Sequence, residues 1–272
     1  MTVFEAILLG IVQGLTEFLP ISSSGHLVIV PELLNMDPPP LAFDVLLHLA
    51  TALAIVGYFG REVYMILVAF VSPKRLSPKE VKGWRRMGLW LVIGSLPIAA
   101  AGFFFRGFFE ALFDSTLAVG ALLMLTGCLM LVADIVASRG PREKRVLKDM
   151  GAVDALIIGL FQALAVAPGL SRSGSTISAG VYVGLERRSA ARFSFLLGVP
   201  AILGAGLVNI GDISVGLQGS TAAAFALGAL AAVVSSLLAV HFMLRFLRRH
   251  RLRGFVIYVF ALGAVVVGLS LL

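Results

Sequence analysis

Gly10-Ile-Val-Gln-Gly-Leu-Thr-Glu-Phe-Leu-Pro-Ile-Ser-Ser-Ser-Gly-His-Leu27 decides how the whole chain of 272 residues is read. It begins as an apolar helix, then gathers Glu17, Pro20, three serines (Ser22, Ser23, Ser24), Gly25 and His26 into one short stretch. Far downstream the pattern returns as Gly159-Leu-Phe-Gln-Ala-Leu-Ala-Val-Ala-Pro-Gly-Leu-Ser-Arg-Ser-Gly-Ser-Thr176. The first copy offers acid–base and nucleophilic groups in Glu17, Ser23 and His26. The second offers a cation, Arg172, among the hydroxyls of Ser171, Ser173, Ser175 and Thr176. The expectation is that the two copies meet on one phosphorylated substrate.

Composition sets the environment. Apolar residues make up 59% of the chain and charged ones 14%, more apolar surface than a water-soluble domain can hide. The apolar stretches run along the whole length, which predicts one integral membrane domain rather than a soluble domain with an anchor. Residues 1–20 lack the basic start and small-residue cleavage site of a signal peptide and are expected to belong to the mature protein. Cys128 is the single cysteine, so an internal disulfide and a cysteine-based metal site are both excluded.

The net charge of +7 is gathered in short segments between apolar runs: Lys74 to Arg86, Arg139 to Lys148 (with Arg142 and Lys144), Arg187 to Arg192, and Arg245 to Arg253. That is the cytoplasmic signature of the positive-inside rule, and no aromatic pattern accompanies it that would suit nucleic acid. Threading the chain through these loops predicts six spans, at 41–59, 87–105, 116–137, 193–210, 220–243 and 254–271. The loops 60–86 and 138–150 then lie inside. The outward connections carry Glu32 and Asp37, then Glu110 and Asp114, then Asp212.

Parity adds what hydropathy does not. Residues 151–186 start and end on the basic side, so they must enter the membrane and come back; residues 1–40 must do the same from the other face. The returning legs, 27–36 and 176–185, are roughly ten residues, or about 15 Å, half a bilayer core. Both serine-rich stretches are therefore expected at the tips of re-entrant hairpins, facing a cavity because exposed backbone is tolerated in lipid only there. The alternative, with 2–19 and 152–167 spanning fully as part of eight ordinary helices, breaks the charge rule. Phe43-Asp-Val-Leu-Leu-His-Leu-Ala and Phe193-Ser-Phe-Leu-Leu-Gly-Val-Pro follow the two tips at similar distances. The fold class expected is an all-α integral membrane protein of six transmembrane helices plus two re-entrant helical hairpins. It forms a single domain built as an inverted-topology repeat, with repeat 1 over about 1–138 and repeat 2 over about 151–272.

Glu17, placed deep in the membrane, needs a partner: Arg172, a metal ion or His26. Gln13, one helical turn earlier, orients Glu17 or contributes to ion binding. Pro20 ends the first helix, and the turn at Ser22 and Gly25 offers amides that suit anionic oxygens. Ser23 beside His26 is a minimal nucleophile–base pair, a weak signal except at this depth. Arg172 with Ser171, Ser173 and Thr176 reads as an anion clamp, aided by a helix expected to begin near Ser175. An Arg172–Glu17 bridge with no ligand is the bland reading of the same residues. Asp44 and His48 share a helix face and support the site, relay protons or simply line a pore. His241 and His250 read as surface groups, and Phe103 to Phe109 as a lipid-facing aromatic edge.

At Gln13–His26 and Pro168–Thr176 the chain resembles the undecaprenyl-diphosphatase family, also called bacitracin-resistance protein, and the likeness runs over essentially its whole length. The resemblance implies removal of the terminal phosphate from undecaprenyl diphosphate, with magnesium or calcium as cofactor, towards the outer face of the plasma membrane. It implies that Glu17 is the essential glutamate, Ser23 the proposed nucleophile, His26 the motif histidine and Arg172 the essential arginine. Ser171, Ser173 and Thr176 would lie around the diphosphate, and Ser22 is placed with them as substrate-binding. Gln13 stands where many members have a second glutamate, so a metal held by Glu17 and Gln13 would meet one charge fewer. Ser23 attack assisted by His26, His26 as the nucleophile, and a water activated by Glu17 all fit the sequence. The rival from another class is a lipid-phosphate flippase or anion transporter using Arg172 and Glu17 without Ser23. A homodimer is the candidate assembly, with membrane lipids as surroundings.

Overall fold

The computed structural model describes residues 1–113, 115–139, 145–208 and 222–271, apart from the side chains of Glu110 and Phe113. The loop charges Asp114, Arg142, Lys144 and Asp212 lie outside the described residues. Twelve α-helices run through the described residues: α1 Val3–Phe18, α2 Ser23–Leu33, α3 Leu41–Tyr58, α4 Gly60–Val71, α5 Pro78–Phe104, α6 Arg106–Phe113, α7 Thr116–Arg139, α8 Ala152–Leu164, α9 Arg172–Tyr182, α10 Arg187–Val208, α11 Ala222–Phe246 and α12 Arg253–Ser270. An isolated bridge between Arg145 and Leu185 is the β pairing among these residues.

Six of the helices, α3, α5, α7, α10, α11 and α12, are long and apolar enough to cross a membrane. Each overlaps one of the six spans expected from sequence, with residues 209–210 and 220–221 of those spans outside the described residues. Of the six shorter helices, α4 and α6 flank α5 in the chain, and the other four form two pairs: α1 with α2, of 16 and 11 residues, and α8 with α9, of 13 and 11. At 1.5 Å per residue these are about 16–24 Å long, less than the roughly 30 Å of a bilayer core.

Two local expectations are corrected. Residues 60–86 are not a plain loop: α4 occupies the first part, and α5 starts at Pro78. The start is set by Ser77, whose hydroxyl caps the Glu80 amide while the Glu80 carboxylate returns to the Ser77 amide, with proline at the first helical position. The helices after the serine motifs also begin earlier than expected. Ser22 and Ser171 cap α2 and α9 by accepting from the Gly25 and Gly174 amides at 3.3 and 3.1 Å. Ser23 and Arg172 are thus the first residues of helices, not members of irregular tips.

Close packing depends on small residues, as expected where lipid competes with protein for apolar contact. α1 lies against α11 through Gly10 and Gly14, which face Gly228, Ala232 and Ser235. α8 lies against α5 through Gly159, which faces Gly94. Phe18, at the end of α1, meets Phe195 of α10 edge-on at 5.4 Å, tying the first pair into the core. Large apolar side chains such as Phe103, Phe104, Leu207 and Val208 are exposed, as in a surface that faces lipid. A side chain at Gly14 would run into α11. Gly14→Leu is therefore expected to cost about 1–3 kcal/mol, read as a lower melting temperature in detergent. The same change at Gly57, where a Cβ meets nothing within 4 Å, should leave melting nearly unchanged.

Candidate active site

The ends of α1 and α8 and the first turns of α2 and α9 come together. Glu17 leaves the last turn of α1, ended by Pro20, and is buried. Its Oε1 pairs with Nη2 of Arg172 on α9. Its Oε2 accepts the Ser23 hydroxyl at 2.6 Å and the Gln13 side-chain amide at 3.0 Å. The expectation that the two serine-rich stretches meet holds at further points: the Ser173 hydroxyl donates to the Leu19 carbonyl at 3.0 Å, and the Gly169 amide to Ser24 Oγ at 3.4 Å. One carboxylate thus links a cation from one half of the chain to a hydroxyl from the other.

The Arg172 fork is held as well as paired. Nη1 donates to the Gly198 carbonyl at 3.0 Å, and a Cβ at Gly198 would stand 2.6 Å from that nitrogen. Glycine in α10 is what makes room for the guanidinium. Gly198 belongs to the Phe193–Pro200 stretch that matches Phe43 onward, a likeness that carries no sign of this role. Ser22, which precedes Ser23, has φ +68°, a region that side-chain-bearing residues rarely occupy and that collects at functional sites. That backbone turns Ser23 towards Glu17.

The site opens on a cavity of about 850 Å³. Glu17, Ser22, Ser23, Ser24, Ser171 and Arg172 line its polar end. Much of the remaining lining is apolar, with Leu27 and Pro31 of α2, Met36 after it, Val45 of α3 and Ile202 of α10, beside the carboxylate of Glu32. Asp44 and His48 also line it; His48 Nε2 is 3.8 Å from Glu17 Oε2, and Asp44 Oδ1 is buried without a partner.

Other candidates sit elsewhere. His26 is buried beside the site, but Nδ1 meets the Ser22 carbonyl at 2.7 Å and Nε2 meets the Tyr258 hydroxyl of α12 at 2.7 Å, with the two rings stacked. It does not line the cavity. Tyr258 had no signal in sequence beyond its place in an apolar span. Thr176 is fully buried and donates to the Arg172 carbonyl while meeting Ser194 of α10 at 2.6 Å, within the second half; Ser173, also outside the cavity lining, reaches across to the Leu19 carbonyl of the first.

For a divalent cation, no group of three or more His, Cys, Asp or Glu side chains stands together among the described residues. Gln13 Oε1 is nonetheless a buried oxygen without a partner, next to the Glu17 carboxylate. One carboxylate, one amide oxygen and phosphate oxygens of a ligand suit a hard ion such as Mg²⁺, which keeps few protein ligands. Glu17 suits such an ion at the cavity, whereas Gln13 is fully buried, does not line the cavity and stands only behind Glu17.

A polytopic helical protein with a buried Glu–Arg pair, a serine on that glutamate and an apolar cavity above it is a membrane protein built to handle an anionic head on an apolar body. The family model for bacitracin resistance protein BacA matches residues 6–265. Among its relatives, the undecaprenyl-diphosphatase of Thermomicrobium roseum is 44% identical over 97% of both chains. Those of Alkaliphilus metalliredigens and Rubrobacter xylanophilus are 39% and 41% identical over 100% and 98% of both chains. The chain belongs to the BacA family.

Proposed function

We propose that this protein is an undecaprenyl-diphosphate phosphatase of the cell membrane, removing the terminal phosphate to give undecaprenyl phosphate for envelope polymers. The names of its full-length relatives favour this over a flippase or anion transporter. The observation that carries the chemistry is Glu17, bridging Ser23 and Arg172 in a cavity lined largely by apolar side chains. Arg172 offers a planar fork for diphosphate oxygens, and Ser22 and Ser171 flank it at the first turns of two helices. As the diphosphate takes Arg172, Glu17 loses its cation and becomes the stronger base. It removes the Ser23 proton at the hydrogen bond already in place. Ser23 Oγ bonds to the terminal phosphorus, the bridging P–O bond breaks and the lipid monophosphate leaves. Water then attacks the phosphorus, the Ser23 Oγ–P bond breaks, Glu17 returns its proton to Ser23 Oγ, and phosphate leaves carrying the protons of the water. His26, engaged by Tyr258 and the Ser22 carbonyl, acts by fixing the first turn of α2. In the alternative role of Glu17, its carboxylate would instead hold a divalent cation, with Gln13 behind it, to neutralise charge on the phosphates.

The architecture of this reading is an inverted repeat, about 1–138 and about 151–272, in one domain. The α1–α2 and α8–α9 pairs are its re-entrant hairpins, with the site opening to the outer side. Two observations support it. The hairpin helix of each half packs on a span of the other, α1 on α11 and α8 on α5. Each contact is glycine to glycine, Gly10 with Gly228 and Gly159 with Gly94. The positive-inside pattern supports the orientation.

The test is phosphate release from undecaprenyl diphosphate by the purified protein in detergent, with magnesium or calcium and then with chelator. Release that stops on chelation and returns on adding the ion is the expected result. No release from well-folded protein, with lipid transport in liposomes, would replace the enzyme by the transporter.

A further inference from the structure

At the basic face of the molecule, away from the cavity described above, three spans end around a second concavity of about 290 Å³. The last residues of α3, the first turn of α10 and the last turns of α11 frame it. Arg188, Arg192, Arg245 and Arg248 line it with His241, and Glu62 is the one acidic residue among the described lining. Glu62 is already used: it pairs with Arg192 at 2.5 Å. Arg188, Arg245 and Arg248 have no carboxylate within ion-pair distance among the described residues. The Nε of Arg188 is buried with no hydrogen-bond partner, a donor left over in a pocket of surplus positive charge. Such a donor normally finds an acceptor, and the cations beside it call for an anionic one.

The surroundings choose between a free anion and the head of a lipid. On α11, Leu238 and Phe242 are 64% and 50% exposed, and the helical spacing 238, 242, 245 sets them in line with Arg245. An exposed apolar stripe therefore leads along a span to the cationic pocket. Basic pockets between spans on the cytoplasmic side suit anionic headgroups in this way. We propose that this pocket binds the phosphate-bearing headgroup of an anionic lipid in the leaflet on the basic face, with an acyl chain along Leu238 and Phe242. It is a second lipid site, independent of the phosphatase centre.

The experiment is native mass spectrometry of the full chain in neutral detergent, with phosphatidylglycerol and phosphatidylcholine at equal concentration. Wild type is expected to retain phosphatidylglycerol in preference. Arg245→Gln/Arg248→Gln, both exposed and safe for folding, should weaken that retention by about 30-fold, and Arg188→Gln should weaken it alone. Lys79→Gln/Lys82→Gln, on the same face but outside the pocket, should leave it unchanged. Equal retention of both lipids, or equal loss in the pocket and control variants, would overturn the proposal. Displacement of phosphatidylglycerol by millimolar inorganic phosphate would also overturn it, assigning the pocket to a free anion. Phosphate release by Arg245→Gln/Arg248→Gln should match wild type, so this test stands apart from that of the phosphatase.

Discussion

Arg172→Lys is expected to lower kcat/KM for undecaprenyl diphosphate by about 10²–10³, the loss typical of removing one aligned donor from developing charge. The charge is kept, so the effect isolates geometry. Lysine has a single ammonium on a flexible stem, whereas the arginine fork reaches Glu17 with Nη2 and the Gly198 carbonyl with Nη1 together. Arg172→Ala should fail in a second way. It strands the Glu17 carboxylate, which is 5% exposed, and breaking a buried pair from one side costs about 3–5 kcal/mol. Melting temperature in detergent separates the two: near wild type for lysine, well below it for alanine. A lysine variant with wild-type kcat/KM would reduce the pair to a structural tie.

Ser23→Ala should have the largest effect on turnover while leaving binding in place. A nucleophile acting as part of a unit is worth on the order of 10⁴–10⁶ in kcat. Removing its hydroxyl leaves the cavity wall, Arg172, Ser22 and Ser171 untouched. Substrate binding, followed by retention of radiolabelled undecaprenyl diphosphate, is expected to stay within a few-fold of wild type. Wild-type turnover by this variant would mean that water attacks directly, with Glu17 as its base.

The six spans were legible because both hydropathy and the placement of arginine and lysine report on the same boundary. The contact between the two serine-rich stretches was also anticipated, because a buried carboxylate and a buried guanidinium each need a partner and sequence offered few others. What sequence could not resolve was direction. Ser23 and His26 are three residues apart and share a turn of α2, yet the two ring nitrogens of His26 are taken by the Ser22 carbonyl and by Tyr258, 232 positions downstream, while the Ser23 hydroxyl goes to Glu17. Thr176 and Ser173 looked like clamp residues by neighbourhood. The helix beginning at Arg172 turns them towards α10 and the Leu19 carbonyl. Gly198 was invisible for another reason: its role is the absence of a side chain beside Arg172, and one glycine among 29 carries no mark of that.

The central claim is that groups from two halves of the chain act on one diphosphate. Ser23 and Arg172 lie on different helices and are joined through opposite oxygens of Glu17. The most direct measurement is a double-mutant cycle on kcat/KM, using Ser23→Ala, Arg172→Lys and the combined variant, with labelled undecaprenyl diphosphate to follow slow release. Residues working as a unit lose little more together than the worse of them loses alone. The account predicts that the double variant matches Ser23→Ala to within a few-fold. Losses that multiply across the two substitutions would mean that the hairpins act independently, and would contradict it.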